Sequence, residues 1–429
     1  GGDLLNRPPH EANVAEQTEH SINGGGLKFD YFSPNEKHRF NVFASAQHIN
    51  RDSYYGGGQD PNAYGNTTDL NWMAGSQYVY SFGKCIFMPA DLTAGIEFNQ
   101  DKLEDNMWGY HRTVDQKVNI GSAFFQNEWK NEHWGFLIGG RLDKHNLIDH
   151  VIFSPRANLR YNPTENINLR FSYSSGFRAP QAFDEDLHVE NVGGNVAMVE
   201  LADNLKEERS QSLSASADIY HRFGAFQVNF LVEGFYTKLS DVFALTDGEV
   251  VDGILTRTRY NAPGARVMGL TLEGKMAYLT KFQVQAGVTL QQSHYSEPHV
   301  WNKEAPAVKK MMRTPNTYGY FTATYTPIKP LSIALSGTYT GSMLVPHEPV
   351  PGFLEKPITV NTKDFFDIGL KAAYDFKLYK SMNLQVNAGV QNIFNAYQND
   401  FDKGADRDSG YIYGPSLPRS FFAGVKISY

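Results

Sequence analysis

The feature that most limits how this chain can fold is a two-residue alternation held over long segments. In "NINLRFSYSS", Ile167, Leu169, Phe171 and Tyr173 lie on one side, and Asn168, Arg170, Ser172 and Ser174 on the other. In "FFDIGLKAAYDFK", Phe366, Ile368, Leu370, Ala372, Tyr374 and Phe376 oppose Asp367, Gly369, Lys371, Ala373, Asp375 and Lys377. "LQVNAGVQ", "SLSASADIYHR" and the terminal "SFFAGVKISY" repeat the pattern. A period of two belongs to a strand with two chemically different faces. A soluble sandwich with its polar face in water accounts for any one of these segments. Length argues against it, because they run for about 10 to 16 residues where soluble strands average about 5 to 6, and a tilted strand crosses a bilayer in about 9 to 11. The apolar faces are therefore expected to meet lipid and the polar faces a wet or plugged lumen.

The connections carry the same message. Seventeen strands are predicted, at 16–32, 38–51, 68–81, 90–99, 113–130, 133–143, 150–161, 166–174, 207–221, 225–238, 265–279, 282–294, 315–326, 331–340, 364–377, 382–394 and 419–429. Short links such as "NPTEN", "RFG", "TK" and "PIKP" alternate with long irregular segments at about 50–68, 100–112, 174–206, 239–264, 294–314, 340–363 and 395–418. Tight periplasmic turns facing long extracellular loops are the asymmetry of an outer-membrane barrel. Aromatics gather beside the short links, among them Trp129, Trp134, Tyr161, Phe223, Phe226 and Phe282, as an interfacial girdle requires. An odd strand number whose last member descends to the periplasm places the start of the chain in an extracellular loop, whereas intact bacterial barrels have an even number.

Composition closes off other classes. Hydrophobic residues make up 41% and no apolar run approaches the roughly 18 residues a transmembrane helix needs. A net charge of −7 argues against a phosphate-tracking surface, so no nucleic-acid partner is expected. The single cysteine, Cys85, permits no internal disulfide. The 13 histidines show no HExxH spacing and no nucleophile elbow is present, so no enzyme activity is expected. No signal peptide opens the chain, and "GGDLLNRPPHEANVAEQ" reads as the middle of a longer sequence.

Three stretches add a resemblance. "SSGFRAPQAFDEDLH", with Gly176, Phe177, Arg178, Ala179 and Pro180, "VQNIFNAYQ", with Asn392, Ile393, Phe394, Asn395 and Tyr397, and the terminal "SFFAGVKISY" resemble signatures of the TonB-dependent outer-membrane receptor family in a Bacteroidetes-like form. Tyr397 lies one residue closer to the preceding motif than is usual. The terminal aromatic, Tyr429, matches the signal by which the assembly machinery recognises outer-membrane clients. The resemblance implies an all-β, transmembrane antiparallel barrel of about 22 strands around a plug, of which this chain would be the C-terminal part across 1–429. About five strands, the plug and the segment that meets the TonB complex would lie outside it, in the same or another chain. It implies active uptake of a scarce ligand in the bacterial outer membrane, among lipid and lipopolysaccharide, with a surface lipoprotein as a further possible partner. The compact loops favour a metal chelate, such as a ferric siderophore, haem or a corrinoid, over the glycans or peptides taken by other members. A passive porin of about 16 or 18 strands is the alternative, and a soluble adhesin or lectin a third.

Candidate sites follow from the long segments. Tyr54, Tyr55, Tyr64, Trp108, Tyr110, Tyr295, Trp301, Met311, Met312, Tyr411 and Tyr413 are soft, amphipathic side chains suited to a large rigid ligand, or equally to packing within the loops. Arg178 reads as a ligand contact or, with Pro180, as the exit of a strand into a loop. Asp184, Glu185, Asp186, His188 and Glu190 form one acidic group, and Asp400, Asp402, Asp406 and Asp408 another. Calcium favours such oxygen donors. The second group lacks EF-hand spacing, so a solvated acidic loop is the competing reading.

Overall fold

A computed structural model describes residues 6–192, 195–246, 248–379, 381–415 and 417–429, so Gly1–Leu5 of the opening stretch fall outside it. The first strands are β1 (Val14–Phe32), β2 (His38–Gly57), β3 (Tyr64–Cys85), β4 (Met88–Met107), β5 (Arg112–Lys130), β6 (Trp134–His145), β7 (Ile152–Thr164) and β8 (Ile167–Arg178). A helical turn α1 (Asp184–Leu187) and the short β9 (Glu190–Val192) and β10 (Asn195–Leu201) follow. Then come β11 (Glu208–Phe223), β12 (Phe226–Leu245), β13 (Glu249–Val251), β14 (Ile254–Tyr278) and β15 (Phe282–His299). The rest are β16 (Val308–Lys310), β17 (Thr317–Ile328), β18 (Leu331–Thr340), β19 (Leu344–His347), β20 (Ile358–Asn361), β21 (Phe365–Tyr379), β22 (Met382–Gln391) and β23 (Ser420–Ser428).

Seventeen of these form one antiparallel meander: β1 to β8 in order, then β11, β12, β14, β15, β17, β18, β21, β22 and β23. The predicted strand number is therefore met. Successive pairs are joined by tight turns, as at Thr164–Ile167, Phe223–Phe226 and Tyr278–Phe282, or by longer excursions, as between Arg178 of β8 and Glu208 of β11. Among the described residues β1 pairs only with β2, and β23 only with β22. Both edges carry unpaired backbone groups, which lipid does not satisfy.

The register sorts the side chains by face. Ser174, Ser212, Thr237, Val267 and Ser293 run across neighbouring strands on one face, while Tyr173, Leu213, Tyr236, Met268 and Gln292 alternate with them. On the polar face Ser212 and Thr237 hydroxyls meet at 2.9 Å and Thr271 and Thr289 at 3.0 Å. On the other, Ile96, Ile138, Phe171, Val425 and Ile427 stand exposed with no second sheet over them. Uncovered apolar surface on this scale is foreign to soluble monomers and natural in a bilayer, so the sandwich alternative falls. Around the tight turns the predicted girdle is present: Trp134 stacks on Tyr161 at 4.2 Å, Phe87 on Trp129 at 5.7 Å, and Phe226 meets Tyr278 at 4.6 Å.

Three predicted irregular segments are corrected. Most of 50–68 and 100–112 is strand: β2 and β3 run on as a hairpin to Gly57 and from Tyr64, and β4 and β5 turn over at 108–111. Likewise 239–264 is mostly strand, with β13 folded back on β14 and β10 running parallel beside it. Beyond the membrane neither face of a strand meets lipid, so the ladder continues while the apolar alternation stops. That lost alternation made strand look like loop.

Candidate functional site

The long-connection end carries a strap that leaves β8 at Arg178 and reaches across to other strands of the wall. It is tied to strands far apart around the wall. Gln116 on β5 donates to the Ala182 carbonyl at 3.1 Å and accepts its N–H at 2.7 Å. Gln181 meets His145 at the end of β6 at 3.1 Å. Arg112 on β5 donates to the carbonyls of Asp186 and Leu187 at 2.7 and 3.4 Å. His188 meets Glu16 on β1 at 3.0 Å and packs edge-on to Tyr55. Glu16 draws the His188 pKa upward, against the opposing pull of burial.

The turn α1 at the centre of the strap presents three carboxylates to arginines of the wall. Arg51 on β2 pairs with Asp184 at 2.7 Å, and its Nε donates to Thr67, whose hydroxyl in turn donates to Asp105 at 2.6 Å. Arg259 on β14 pairs with Asp186, and Arg178 with Glu185 at 2.5 Å. Arg178 also lies over the Phe183 ring at 4.0 Å. Asp186 accepts the Phe183 N–H at 2.9 Å and is buried. In "FDEDLH" the side chains of Asp184 and Glu185 stay solvent-exposed while pairing with guanidiniums, and Asp186 is buried against Arg259. A buried carboxylate without such partners would be costly.

A second knot joins the later loops. Arg257 on β14 pairs with Glu348 at 2.6 Å and lies 3.7 Å from Glu190. Asp408 accepts the N–H groups of Glu348 and Gly410, each at 2.9 Å. Burial pushes the pKa values of both Glu348 and Asp408 upward. The His347 ring stacks on Tyr411 at 3.8 Å and meets Asp402 at 2.9 Å. Beside the knot, a cavity of about 610 Å³ is bounded by Glu16 of β1 and by Tyr397, Phe401, Tyr411, Ile412 and Pro415 of the last loop.

Of the predicted ligand contacts, five are taken up in packing. Tyr54, 1% exposed, Tyr55 and Tyr110 form a cluster with Met107, Val189 and Met198, and the Tyr110 hydroxyl donates to the Tyr55 carbonyl at 2.6 Å. Trp301 and Tyr411 are also buried. These five are corrected from surface contacts to loop core, since rings of this size stabilise long loops chiefly by leaving water. Trp108, at 60%, is exposed, and Tyr64, Tyr295, Met311, Met312 and Tyr413 are half-buried. Tyr413 and Tyr411 donate to Asp400 at 2.5 and 3.2 Å, and burial pushes the Tyr411 hydroxyl up to about 12.

The proposed calcium donors do not converge. Asp400 serves the two tyrosines, Asp402 serves His347 and the Asp408 N–H, Asp408 serves backbone, and Asp406 is exposed. Among the described residues no group of three or more acidic, histidine or cysteine side chains is placed to hold a metal. The residues present do not fit the ion.

The motif residues are scaffold. Asn392, buried and in the left-handed region at φ 49°, donates to the carbonyls of Ala396 and Leu417 and accepts the Ala396 N–H, all at 2.8–2.9 Å. Asn395 accepts the Arg419 N–H at 2.9 Å, and Ile393 extends the ladder to Ile368. Phe394 and Tyr397 are exposed, Gly176 lies 3.2 Å from Ser210 at its would-be Cβ, and Ala179 and Pro180 begin the strap. Tyr429 is 96% exposed, in step with Val425 and Ile427 on the apolar face. The sequence reading missed Arg51, Arg112, Arg259 and His347; no local pattern marks them, because each acts on a partner far along the chain.

A one-sheet wall with an apolar outer face, a polar inner face and its long connections knotted at one end defines the class: part of an outer-membrane β-barrel. The sequence matches the family model described as TonB dependent receptor-like, beta-barrel, over residues 5–393. The chain belongs to that family, whose members are transport receptors rather than enzymes. No curated protein matches the sequence. Among solved structures it is similar to the siderophore receptor PirA from Acinetobacter baumannii, at 15% identity and a TM-score of 0.69, covering 95% of this chain and 62% of that one. A mutant of the ferric enterobactin receptor PfeA from Pseudomonas aeruginosa gives 17%, 0.70, 95% and 61%. The unliganded ferric citrate transporter FecA gives 14%, 0.68, 96% and 62%. At such identities the likeness is one of fold, and the chain spans about three fifths of the length of these neighbours.

Proposed function

We propose that this chain is the larger part of the barrel of a receptor that takes up a metal chelate, such as a ferric siderophore, haem or a corrinoid, and is driven through TonB. The two unpaired edges support a further set of about five strands and a plug, in the same or another chain, completing the wall. The observation that carries the reading is the tethered strap. A strap pinned to β1, β2, β5, β6, β8 and β14 ties the long-connection end to six strands of the wall, which supports an obstructed entrance over the standing channel of a porin. Passage then requires work, and the loops supply a surface for capture. The similarity to receptors named for siderophores and ferric citrate supports an iron chelate first.

The test offers labelled haem, a ferric siderophore and a corrinoid to cells carrying the complete receptor. Uptake of one of them should stop when TonB is deleted while surface binding persists. Trimming 294–314 or 395–418 should weaken binding without changing barrel assembly. Uptake at full rate without TonB would overturn the reading in favour of a passive channel.

A further inference from the structure

On the long-connection side the apolar outer face ends in a row of basic side chains. Tyr236 of β12, Met268 of β14 and Gln292 of β15 stand side by side on that face. Two residues further from the tight turns, in step with them, stand Lys238, Arg266 and His294, and Lys310 of β16 is paired with His294. Four neighbouring strands thus present four basic residues in register, a row about 15 Å long at a strand spacing of about 4.8 Å. Lys238 and Arg266 are exposed, and among the described residues none of the four has a carboxylate within ion-pair distance. Like charges directly opposite on adjacent strands destabilise the pair, so the row calls for an anion from outside the chain. Its height fits one source. From Phe226 at the tight turn to Tyr236, β12 climbs about 25 Å at a tilt of about 40°, the full apolar band, and Lys238 lies just above it at the level of the lipid headgroups. Directly beneath the row the apolar face is hollowed. Gly234 pairs with Ala215 on one side and Leu270 on the other, and a Cβ built at Gly234 would meet nothing within 4 Å. The two small residues floor a depression of about 840 Å³ walled by Leu213, Tyr236, Leu270 and Leu290, a volume in the range of lipid-sized ligands.

We infer that row and hollow together seat one phosphorylated glycolipid of the outer leaflet. Its phosphates lie on Lys238, Arg266 and Lys310, with His294 donating between them, and its acyl chains fill the hollow over Gly234. Guanidinium and ammonium groups make charge-assisted bonds to phosphate oxygens, and several chains on one headgroup cover a broad, shallow hollow better than the two of an ordinary phospholipid. A free anion gains only the row, and an uncharged lipid only the hollow. The headgroup also bridges β12, β14, β15 and β16 at the feet of the 239–264 and 294–314 excursions, replacing repulsion within the row by a shared counter-charge. The seat is on the outside of the wall, away from the lumen, so it stands whatever the receptor carries.

The complete receptor tests it, purified in detergent micelles, stripped of lipid and checked for assembly by heat-modifiable gel mobility. It is titrated with phosphorylated lipid A, the phosphatase-treated lipid, phosphatidylglycerol and inorganic phosphate, and bound molecules are counted by native mass spectrometry. Lys238→Gln with Arg266→Gln should bind the phosphorylated lipid A roughly tenfold to thirtyfold more weakly. Gly234→Leu, which fills the hollow and leaves the charge alone, should weaken it several-fold. Lys37→Gln with Lys84→Gln, the same charge change at exposed positions beside the tight turns, should bind it as the unaltered protein does. The dephosphorylated lipid should bind the unaltered protein as weakly as the phosphorylated one binds the Lys238, Arg266 variant. If that variant fails to assemble, Lys310→Gln is read in its place, with a smaller loss in the same direction. Equal weakening by the pairs at the two ends, undiminished binding of the dephosphorylated lipid, or equal binding of phosphatidylglycerol or inorganic phosphate overturns the inference. None of these results bears on TonB-driven uptake, which is read separately.

Discussion

His188 shows how one side chain couples the strap to the wall. Its ring meets Glu16 at 3.0 Å, with Glu190, Arg51 and Tyr55 also facing it, and the hydrogen bond to Glu16 raises its pKa above the ordinary 6.5. A raised folded-state value stabilises fully below the unfolded one and is lost as pH rises through the folded one. The tether should therefore hold below the ordinary histidine value of 6.5 and slacken as pH rises through the raised one. Amide exchange over 186–192 should speed up as pH rises, beyond the intrinsic pH dependence of exchange, and His188→Ala should flatten that excess. An excess that survives the substitution would place the titration elsewhere. Single residues were also where the sequence was least legible. Arg178 and the carboxylates of "FDEDLH" could be named, but Arg51 meets Asp184 across 133 positions and Arg259 meets Asp186 across 73. Only the folding of the strap across the curved wall brings them together. The same packing of the long connections buried Tyr54, Tyr110 and Tyr411, whose amphipathic character reads identically for a ligand surface and for a loop core.

At the scale of strands, legibility tracked the membrane. Where one face meets lipid and the other the lumen, alternation fixed both strand and register; past the membrane, where the β2–β3 and β4–β5 hairpins continue, it gave nothing. Within the wall, aromatic rings lie over glycines directly opposite on the next strand, as Phe43 over Gly75, Phe124 over Gly95 and Phe422 over Gly389. Such pairs shield a backbone that glycine would otherwise leave bare. A Cβ at Gly95 would sit 2.4 Å from the Phe124 ring and 2.7 Å from the Ser76 carbonyl, whereas one at Gly274 meets nothing within 4 Å. Gly95→Val should then cost about 1–3 kcal/mol, and Gly274→Val under about 0.5 kcal/mol, read as urea midpoints of barrel refolded in detergent micelles. Equal midpoints for the two would show that the ring does not pack on Gly95.

The whole molecule is a directional object: tight turns and an aromatic girdle at one end, a knotted face of straps and arginine pairs at the other. Its function depends on that face being outside the cell. The chain carries its own reporter, since its single cysteine, Cys85, closes the turn between β3 and β4. Further probes are Glu132→Cys in the β5–β6 turn, and Glu304→Cys and Asp406→Cys in two of the long connections, each in a Cys85→Ser background and each at an exposed position. With a membrane-impermeant maleimide on intact cells, Glu304→Cys and Asp406→Cys should label, while Cys85 and Glu132→Cys should label only after the outer membrane is breached. Labelling of Cys85 or Glu132→Cys on intact cells, with the long-loop positions silent, would contradict the account.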